Sequence, residues 1–279
     1  MKLSRTSTVT LLLLLVATSA GCGVINRIRA KNALNEGARA YREGQFTQAE
    51  EKFRRAFELD PTQKNAPLFI ARAVQQQYKP GVASPENVAT GQRAIQAYQD
   101  ILNRDPRNED AYKAIVFLYG QMKEEDKVRQ MLTQRASMTD IPESKRAEAL
   151  TILASKQWQC SYDTTEQKDN KTTEGNVVKY KKPANQADFD KAKGCVAEGM
   201  RLVEQAISLD QNNANAWSYK ANLLREQSKL AEMDGNAQQK QEFDRLYDQA
   251  RETHARLSEE AQKRKEAEEA AKSPTPPAS

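Results

Sequence analysis

The sequence is poor in the residues that build metal centres and acid–base sites, with one histidine and three cysteines among 279 residues. It contains no GxSxG, HExxH, GxxxxGKS/T or GxGxxG motif, and these motifs mark common hydrolase, zinc and nucleotide-binding sites. The cysteines also lack the paired CxxC spacing of zinc sites. We therefore expect a protein that is not an enzyme and that uses no metal or other cofactor.

Bulky hydrophobic residues are scarce as well. Aromatic residues make up 6% of the chain and hydrophobic residues 38%, whereas a typical globular domain has about 45–50% when glycine is counted. This composition favours closely packed helices with much solvated surface over a large enzyme core. The formal net charge of +5 is spread along the chain, so no nucleic-acid partner is expected.

Residues 1–21 have the layout of a secretory signal peptide. Lys2 and Arg5 precede an apolar run at Leu11–Val16, and small residues follow at positions 19–21. The apolar run is too short to cross a membrane, which takes roughly 20 residues. Because Lys2 and Arg5 would leave with the leader, the mature chain is predicted to be closer to neutral.

Cys22 directly follows Ser19, Ala20 and Gly21. This sequence resembles the lipobox of bacterial lipoproteins, although the family pattern usually begins with leucine rather than serine. The resemblance implies that Cys22 is diacylated and becomes the mature N-terminus, and two or three acyl chains anchor a protein stably. Gly23, in place of aspartate, is typical of lipoproteins sorted to the outer membrane. We therefore expect a bacterial envelope protein anchored there and facing the periplasm; the alternative is an ordinary signal peptide with an incidental cysteine.

The body of the chain is repetitive, and its clearest unit covers residues 30–63. Small residues stand where two helices would cross, a glycine stands at the turn, and a proline closes the unit. The positions that form this pattern are Gly37, Tyr41, Gly44, Phe46, Ala49, Phe53, Ala56, Leu59, Asp60 and Pro61. The unit resembles a tetratricopeptide repeat, a helix–turn–helix of 34 residues. Thr47 and Glu50 are predicted to form a capping box at the start of its second helix.

The same template recurs with lower fidelity along the chain. Residues 103–106 and 208–211 echo the Leu-Asp-Pro ending of the first unit. Aligning on these endings predicts an all-α solenoid of about five helix pairs, near residues 30–63, 64–108, 109–142, 147–213 and 214–265. The repeat domain is expected to span 22–265, and residues 266–279 to form a charged, proline-rich disordered tail. The alternative is an array of unlike helices.

The fourth unit is about twice the usual length. Its surplus lies between Cys160 and Cys195, two positions that the repeat template places on either side of the inter-helix turn. The resemblance therefore implies a disulfide that closes a polar insertion at residues 161–185, in an oxidising compartment; the alternative is two free thiols. Within the insertion, Val177–Tyr180 is β-prone and is compatible with either a small hairpin or a mobile loop.

Arrays of this family present a concave face built mainly from the first helix of each pair. The family's groove register assigns that face to Leu34, Tyr41, Arg42, Arg72, Phe117, Gln121, Trp158 and Arg225. The three aromatic residues are of the kind found at binding hot spots, and the alternative is that they only pack between repeats. Leu34 and Ala38 stand where chaperone-binding members carry lysine and asparagine, so a chaperone clamp is not expected.

The layout resembles the repeat lipoproteins of outer-membrane β-barrel assembly and of pilus or secretin assembly. This implies a lipid-anchored scaffold that binds other envelope proteins, taking an extended peptide or a partner helix on its concave face. The alternative is a carbohydrate-binding scaffold for polysaccharide export or peptidoglycan, with Trp158 stacking on sugars.

Overall fold

A computed structural model of the protein describes residues 5–272 except Asn176, with side chains from Gly23 onwards. Unit 1 of the chain ends at Val128, and unit 2 begins at Arg129. The described residues form ten α-helices and one β-hairpin. The elements are α1 Arg5–Arg42, α2 Phe46–Leu59, α3 Ala66–Gln77, α4 Pro85–Arg104, α5 Glu109–Gln121, α6 Glu125–Ser137, α7 Glu143–Thr165, β1 Lys171–Glu174, β2 Val177–Tyr180, α8 Gln186–Leu209, α9 Ala214–Met233 and α10 Ala237–Lys272.

The helices follow one another as five helix–turn–helix pairs. Successive helices pack together in the pairs α1–α2, α3–α4, α7–α8 and α9–α10, and a short turn at Lys123, with a φ of 58°, joins α5 to α6. Gly44 turns the chain between α1 and α2 with a φ of 76°, a backbone conformation that favours glycine. The all-α fold of tetratricopeptide-like pairs is confirmed.

The aspartate that recurs at the ends of the repeats has a structural role. Asp60 ends α2, and its carboxylate accepts hydrogen bonds from the Thr62 backbone N–H at 3.1 Å and from the Gln63 side chain at 2.8 Å. Asp105 and Asp210 likewise accept the backbone N–H two residues further on, at 3.2 and 3.1 Å. A short acidic side chain therefore builds the same turn after three helices, which explains the sequence echo.

Small residues let paired helices approach closely. A Cβ added at Gly37 would lie 2.6 Å from the Phe53 ring, which is buried between α1 and α2. A Cβ at Gly199 in α8 would lie 2.6 Å from a Leu223 methyl group in α9. The crossing glycine predicted in the first unit is therefore required by packing.

The capping box predicted at Thr47 and Glu50 is wrong. Gln45 occupies the N-cap position of α2 and makes no side-chain capping hydrogen bond. The Glu50 carboxylate turns instead toward α3 and α4, where it accepts from Gln77 at 2.7 Å and from Arg93 at 2.8 Å. Burial raises the pKa of Glu50, but the hydrogen bonds from Gln77 and Arg54 and the charge of Arg93 outweigh burial and lower the pKa.

The fourth pair contains the disulfide between Cys160 and Cys195, with 6.1 Å between the Cα atoms. The expectation that these residues flank a turn, with the insertion starting at residue 161, is wrong. Cys160 lies inside α7, which continues to Thr165, and Cys195 lies nine residues into α8. The bond therefore joins two helices within their bodies, and the excursion beyond them is shorter than predicted.

The insertion forms a hairpin rather than a mobile loop. Strands β1 and β2 pair antiparallel, with Lys171 opposite Tyr180 and Glu174 opposite Val177. Gly175 supports the turn between them with a φ of 62°. The backbone N–H of Tyr180 donates to Glu232 of α9 at 3.0 Å, which attaches the second strand to the helices of unit 2.

A buried polar cluster explains why α7 continues past its predicted end. The Ser161 and Thr165 hydroxyls are buried, and they donate to the Glu226 carboxylate of α9 at 3.0 and 2.7 Å. The Lys229 ammonium lies 2.6 Å from Glu226 and 2.6 Å from Glu166. Ser161 and Thr165, which the sequence places in a polar loop, are thus buried residues whose hydroxyl groups have hydrogen-bond partners.

The C-terminal helix also runs further than expected. Residues 266–272, predicted to be disordered, belong to α10. They are exposed, and a pair of opposite charge four residues apart, Lys265 with Glu269 at 4.0 Å, supports this part of the helix. The rest of the predicted tail, residues 273–279, lies outside the described residues.

Candidate partner-binding site

Unit 1 contains an apolar pocket between α1, α2 and α3. Its volume is about 270 Å³, and its walls are mostly aromatic or aliphatic, with basic side chains also lining it. The lining residues are Ala38, Tyr41 and Arg42 from α1, Phe53 from α2, and Phe69 and Arg72 from α3.

Aromatic contacts shape the walls of this pocket. The Phe53 and Phe69 rings lie 5.3 Å apart between centroids, and Tyr41 meets Phe46 edge-on at 5.3 Å. Such contacts hold rings in defined orientations. The pocket is therefore a formed cavity able to take an apolar side chain of a ligand.

A buried tyrosine lies near the pocket. The Tyr98 hydroxyl of α4 donates to the Gln75 side chain of α3 at 2.6 Å. Burial raises the pKa of Tyr98, and the neighbouring charge of Arg72 opposes that rise. Tyr98 is therefore a structural support that stays protonated.

The charged groups of the pocket are positive. Arg42 is exposed, and Arg72 is half-buried. Arg72 pairs with Asp110 of α5 at 2.8 Å in an exposed ion pair, and such a pair contributes little to stability. Arg42 is therefore placed to recognise an acidic group beside the apolar side chain in the pocket, and Arg72 can join it by exchanging its weak pair with Asp110.

Of the predicted groove residues in unit 1, the pocket brings together Tyr41, Arg42 and Arg72. Leu34 is half-buried on α1, but it does not line the pocket. Phe117 is 50% exposed on α5, and Gln121 is exposed at the end of the same helix. These two side chains are accessible but contribute nothing to the pocket.

Sequence reasoning missed two walls of the pocket. The groove register includes neither Phe53 nor Phe69. Phe69 lies three residues before Arg72, so both lie on one face of α3. The spacing to a predicted groove residue was therefore the signal that could have identified Phe69.

The predicted groove residues of unit 2 make contacts within that unit. Trp158 is half-buried, and its ring lies 5.1 Å from Tyr162 and 6.0 Å from Tyr219. Arg225 pairs with Asp244 of α10 at 3.2 Å and lies 5.8 Å from the Tyr247 ring. Both side chains therefore join helices of unit 2, which favours the packing interpretation over a sugar-stacking one.

A larger cavity of about 510 Å³ in unit 2 is lined by α6, α7 and α8. Arginine side chains border it, but Arg146 donates to the Ala136 carbonyl at 3.1 Å, and Arg201 donates to Glu198. These donors are engaged within the protein, and no aromatic ring of the described residues lines the cavity, so it is a weaker candidate than the aromatic pocket of unit 1.

Within the described residues, no group of three or more His, Cys, Asp or Glu side chains could hold a metal ion. His254, the single histidine of the chain, lies in α10 with its Nδ1 atom 2.9 Å from the Ala214 carbonyl oxygen. It serves the packing of α10 against α9.

No protein-family model and no curated protein matches the sequence. Solved structures that are similar include MamA, at 12% identity and a TM-score of 0.38, covering 83% of this chain and 94% of that one. Pseudomonas aeruginosa PilF is 17% identical with a TM-score of 0.33, covering 84% and 99%. A tetratricopeptide repeat protein from Parabacteroides merdae is 14% identical with a TM-score of 0.37, covering 84% and 93%. At these values the likeness says nothing about function.

Proposed function

We propose that the protein is a lipid-anchored envelope scaffold that binds another protein through unit 1. The observation that carries the proposal is the aromatic pocket bordered by Arg42 and Arg72. The bound segment is an extended peptide or a helix that places an apolar side chain in the pocket and a carboxylate beside the arginines. Aromatic and arginine side chains are the groups that dominate protein interfaces.

The binding proposal is tested with a photo-crosslinking phenylalanine at position 41 in intact cells. We expect a crosslinked protein adduct that disappears when Arg42 is replaced by Glu, because a carboxylate beside the pocket repels an acidic ligand. The matched control is Arg55→Glu, which makes the same charge change at an exposed residue of α2 outside the pocket. An adduct that survives Arg42→Glu would show that this pocket is not the binding site.

The same experiment tests the carbohydrate alternative. Recovery of glycan on the crosslinked protein, without any protein partner, would replace the scaffold proposal with a polysaccharide or peptidoglycan one. If a protein is recovered, its identity decides whether the scaffold serves outer-membrane, secretion or pilus assembly.

We further propose that acyl chains on Cys22 attach the protein to the outer membrane, with the repeat helices in the periplasm. The support is the lipobox-like sequence; the Cys22 side chain and the leader's side chains lie outside those that the structure describes. Among the described residues, none of the helices is both long and apolar enough to cross a membrane.

The anchor is tested by replacing Cys22 with Ser. Membrane fractions should then lose the protein, and the N-terminal peptide should lose the mass of its acyl chains. Retention of Cys22→Ser in the outer-membrane fraction would contradict the proposed anchor.

A further inference from the structure

The first described side chains of α1 have an unusual pattern of exposure. Val24, Ile25 and Ile28 are apolar, yet they are 59%, 50% and 58% exposed. Their spacing of three and four places them on one face of the helix. Asn26 is half-buried and Ala30 fully buried, so the side of α1 that meets the protein lies opposite this apolar face.

Basic side chains border the apolar face. Arg27, Arg29 and Lys31 are exposed, and no acidic residue occurs between positions 23 and 31. At 100° per residue, Arg27 and Lys31 lie on one side of the apolar face and Arg29 on the other. Long basic side chains in this arrangement reach polar headgroups while a central apolar strip is immersed.

We propose that residues 24–31 form a second membrane contact, in addition to the acyl anchor. Val24, Ile25 and Ile28 enter the boundary between headgroups and acyl chains, and Arg27, Arg29 and Lys31 bind the phosphates of anionic phospholipids. The inference rests on the proposed anchor in one respect: Cys22, two residues before Val24, holds the segment at the bilayer and raises its effective concentration there.

Charge favours an anionic bilayer over a second copy of the chain as the partner of this apolar face. Two copies meeting through this face would bring both sets of Arg27, Arg29 and Lys31 together, and like charges in an interface repel. An anionic bilayer satisfies both the apolar face and the cations that border it. The segment therefore fits a lipid surface better than it fits itself.

The contact is tested with mature acylated protein in protein-free vesicles that contain phosphatidylglycerol. A polarity-sensitive fluorophore is attached at Ile28→Cys, and the matched control carries it at Gln48→Cys. Gln48 is exposed at the start of α2, next to the end of α1, and residues 28 and 42 are about 21 Å apart along that helix. We expect a blue shift at position 28 and none at position 48.

Binding of the unacylated Cys22→Ser chain, expressed from residue 22, measures the contact without the anchor. We expect the combined change of Val24, Ile25 and Ile28 to Asn to weaken sedimentation with anionic vesicles about tenfold or more. The control changes Val177 and Val178 to Asn, two exposed residues of the hairpin, and should leave sedimentation unchanged.

The outcomes separate the two proposals. Absence of acyl chains from the N-terminal peptide overturns the anchor, whereas the absence of a blue shift at position 28 overturns the contact whether or not Cys22 is acylated. A shift that appears in native membranes but not in protein-free vesicles also overturns it, because a protein then covers the apolar face.

Discussion

In the first helix pair, α1 and α2 meet through Gly37 against the Phe53 ring, and apolar shape fixes their separation. In the fourth pair, α7 is joined to α8 by a disulfide, and it is joined to α9 of the next pair by hydrogen bonds from Ser161 and Thr165 to the buried Glu226 carboxylate. The sequence of the first pair matches the repeat template closely, whereas the fourth departs from it through the insertion. The difference indicates that the inserted region depends on specific polar and covalent links where the template residues alone do not suffice.

The tryptophans make this comparison measurable. Both tryptophans of the chain, Trp158 and Trp217, lie in unit 2, so their fluorescence reports the unfolding of that unit alone. The unfolding of unit 1 is monitored by the hydrogen exchange of the backbone amides in α1 and α2. Separate probes are needed because a chain with two compact units does not necessarily unfold in one step.

The largest effect is expected from Glu226→Ala. This change leaves the Lys229 cation buried with one carboxylate fewer and removes the acceptor of Ser161 and Thr165. Breaking a buried pair in this way costs about 3–5 kcal/mol. The urea midpoint of tryptophan fluorescence should fall accordingly.

The control for Glu226→Ala is the combined change of Glu226 and Lys229 to Met. It removes both charges and restores volume, so it should cost less than Glu226→Ala, although Ser161 and Thr165 still lose their acceptor. If Glu226→Ala alone leaves the urea midpoint unchanged, the buried cluster does not hold α7 against α9.

Loss of the disulfide should have the next largest effect. Replacing Cys160 and Cys195 with Ser opens a covalent loop of about 36 residues, which the chain-entropy account values at about 3–4 kcal/mol. The urea midpoint should fall to the value of the reduced wild type. A midpoint that matches the oxidised protein would contradict this prediction.

A smaller effect is expected in the first pair from Gly37→Ala. The new methyl group would overlap the Phe53 ring, whose nearest atom lies 2.6 Å away, and such overpacking costs about 1–3 kcal/mol. Hydrogen exchange in α1 and α2 should accelerate. Gly120→Ala in α5 is the matched control, because it meets no atom within 4 Å and should be neutral or stabilising.

The smallest effect on stability is expected at acidic pH. Burial raises the pKa of Glu166, but hydrogen bonds from Lys171 and Lys229 outweigh it and lower the pKa from 4.5 to about 2. Its stabilising contribution is therefore complete above pH 4.5 and is lost as the pH falls toward 2. As the pH falls through this window, the free energy of unfolding of Glu166→Gln should fall less than that of the wild type. We expect a difference of about 1–2 kcal/mol, since the site is partly solvated. Identical urea midpoints of wild type and Glu166→Gln across the window would refute this.

Much of the fold was predictable because it depends on local signals. Asp60, Asp105 and Asp210 end three helices through contacts with residues two positions away, so their recurrence revealed the repeat. The end of α7 was not predictable, because Ser161 and Thr165 find their partner 65 and 61 residues later in Glu226. A sequence window around α7 contains no trace of that carboxylate.

The candidate site was predictable to a similar extent. Tyr41, Arg42 and Arg72 follow from the register of the first helices, which fixes the direction of each side chain. The depth of the pocket was not predictable, since it depends on how much space the Phe53 and Phe69 rings leave between α1, α2 and α3. That space is set by packing between helices of two successive repeats, so the sequence of one repeat does not reveal it.

The hairpin between α7 and α8 lies wholly inside the loop that Cys160 and Cys195 close. A protease that cuts beside Gly175 would therefore produce two fragments that remain one molecule until the disulfide is reduced. On a non-reducing gel the cut protein would migrate as a single species, and only reduction would reveal the cleavage. The hairpin is thus a position where a cleavable tag can be inserted and removed while the helices of unit 2 stay covalently joined.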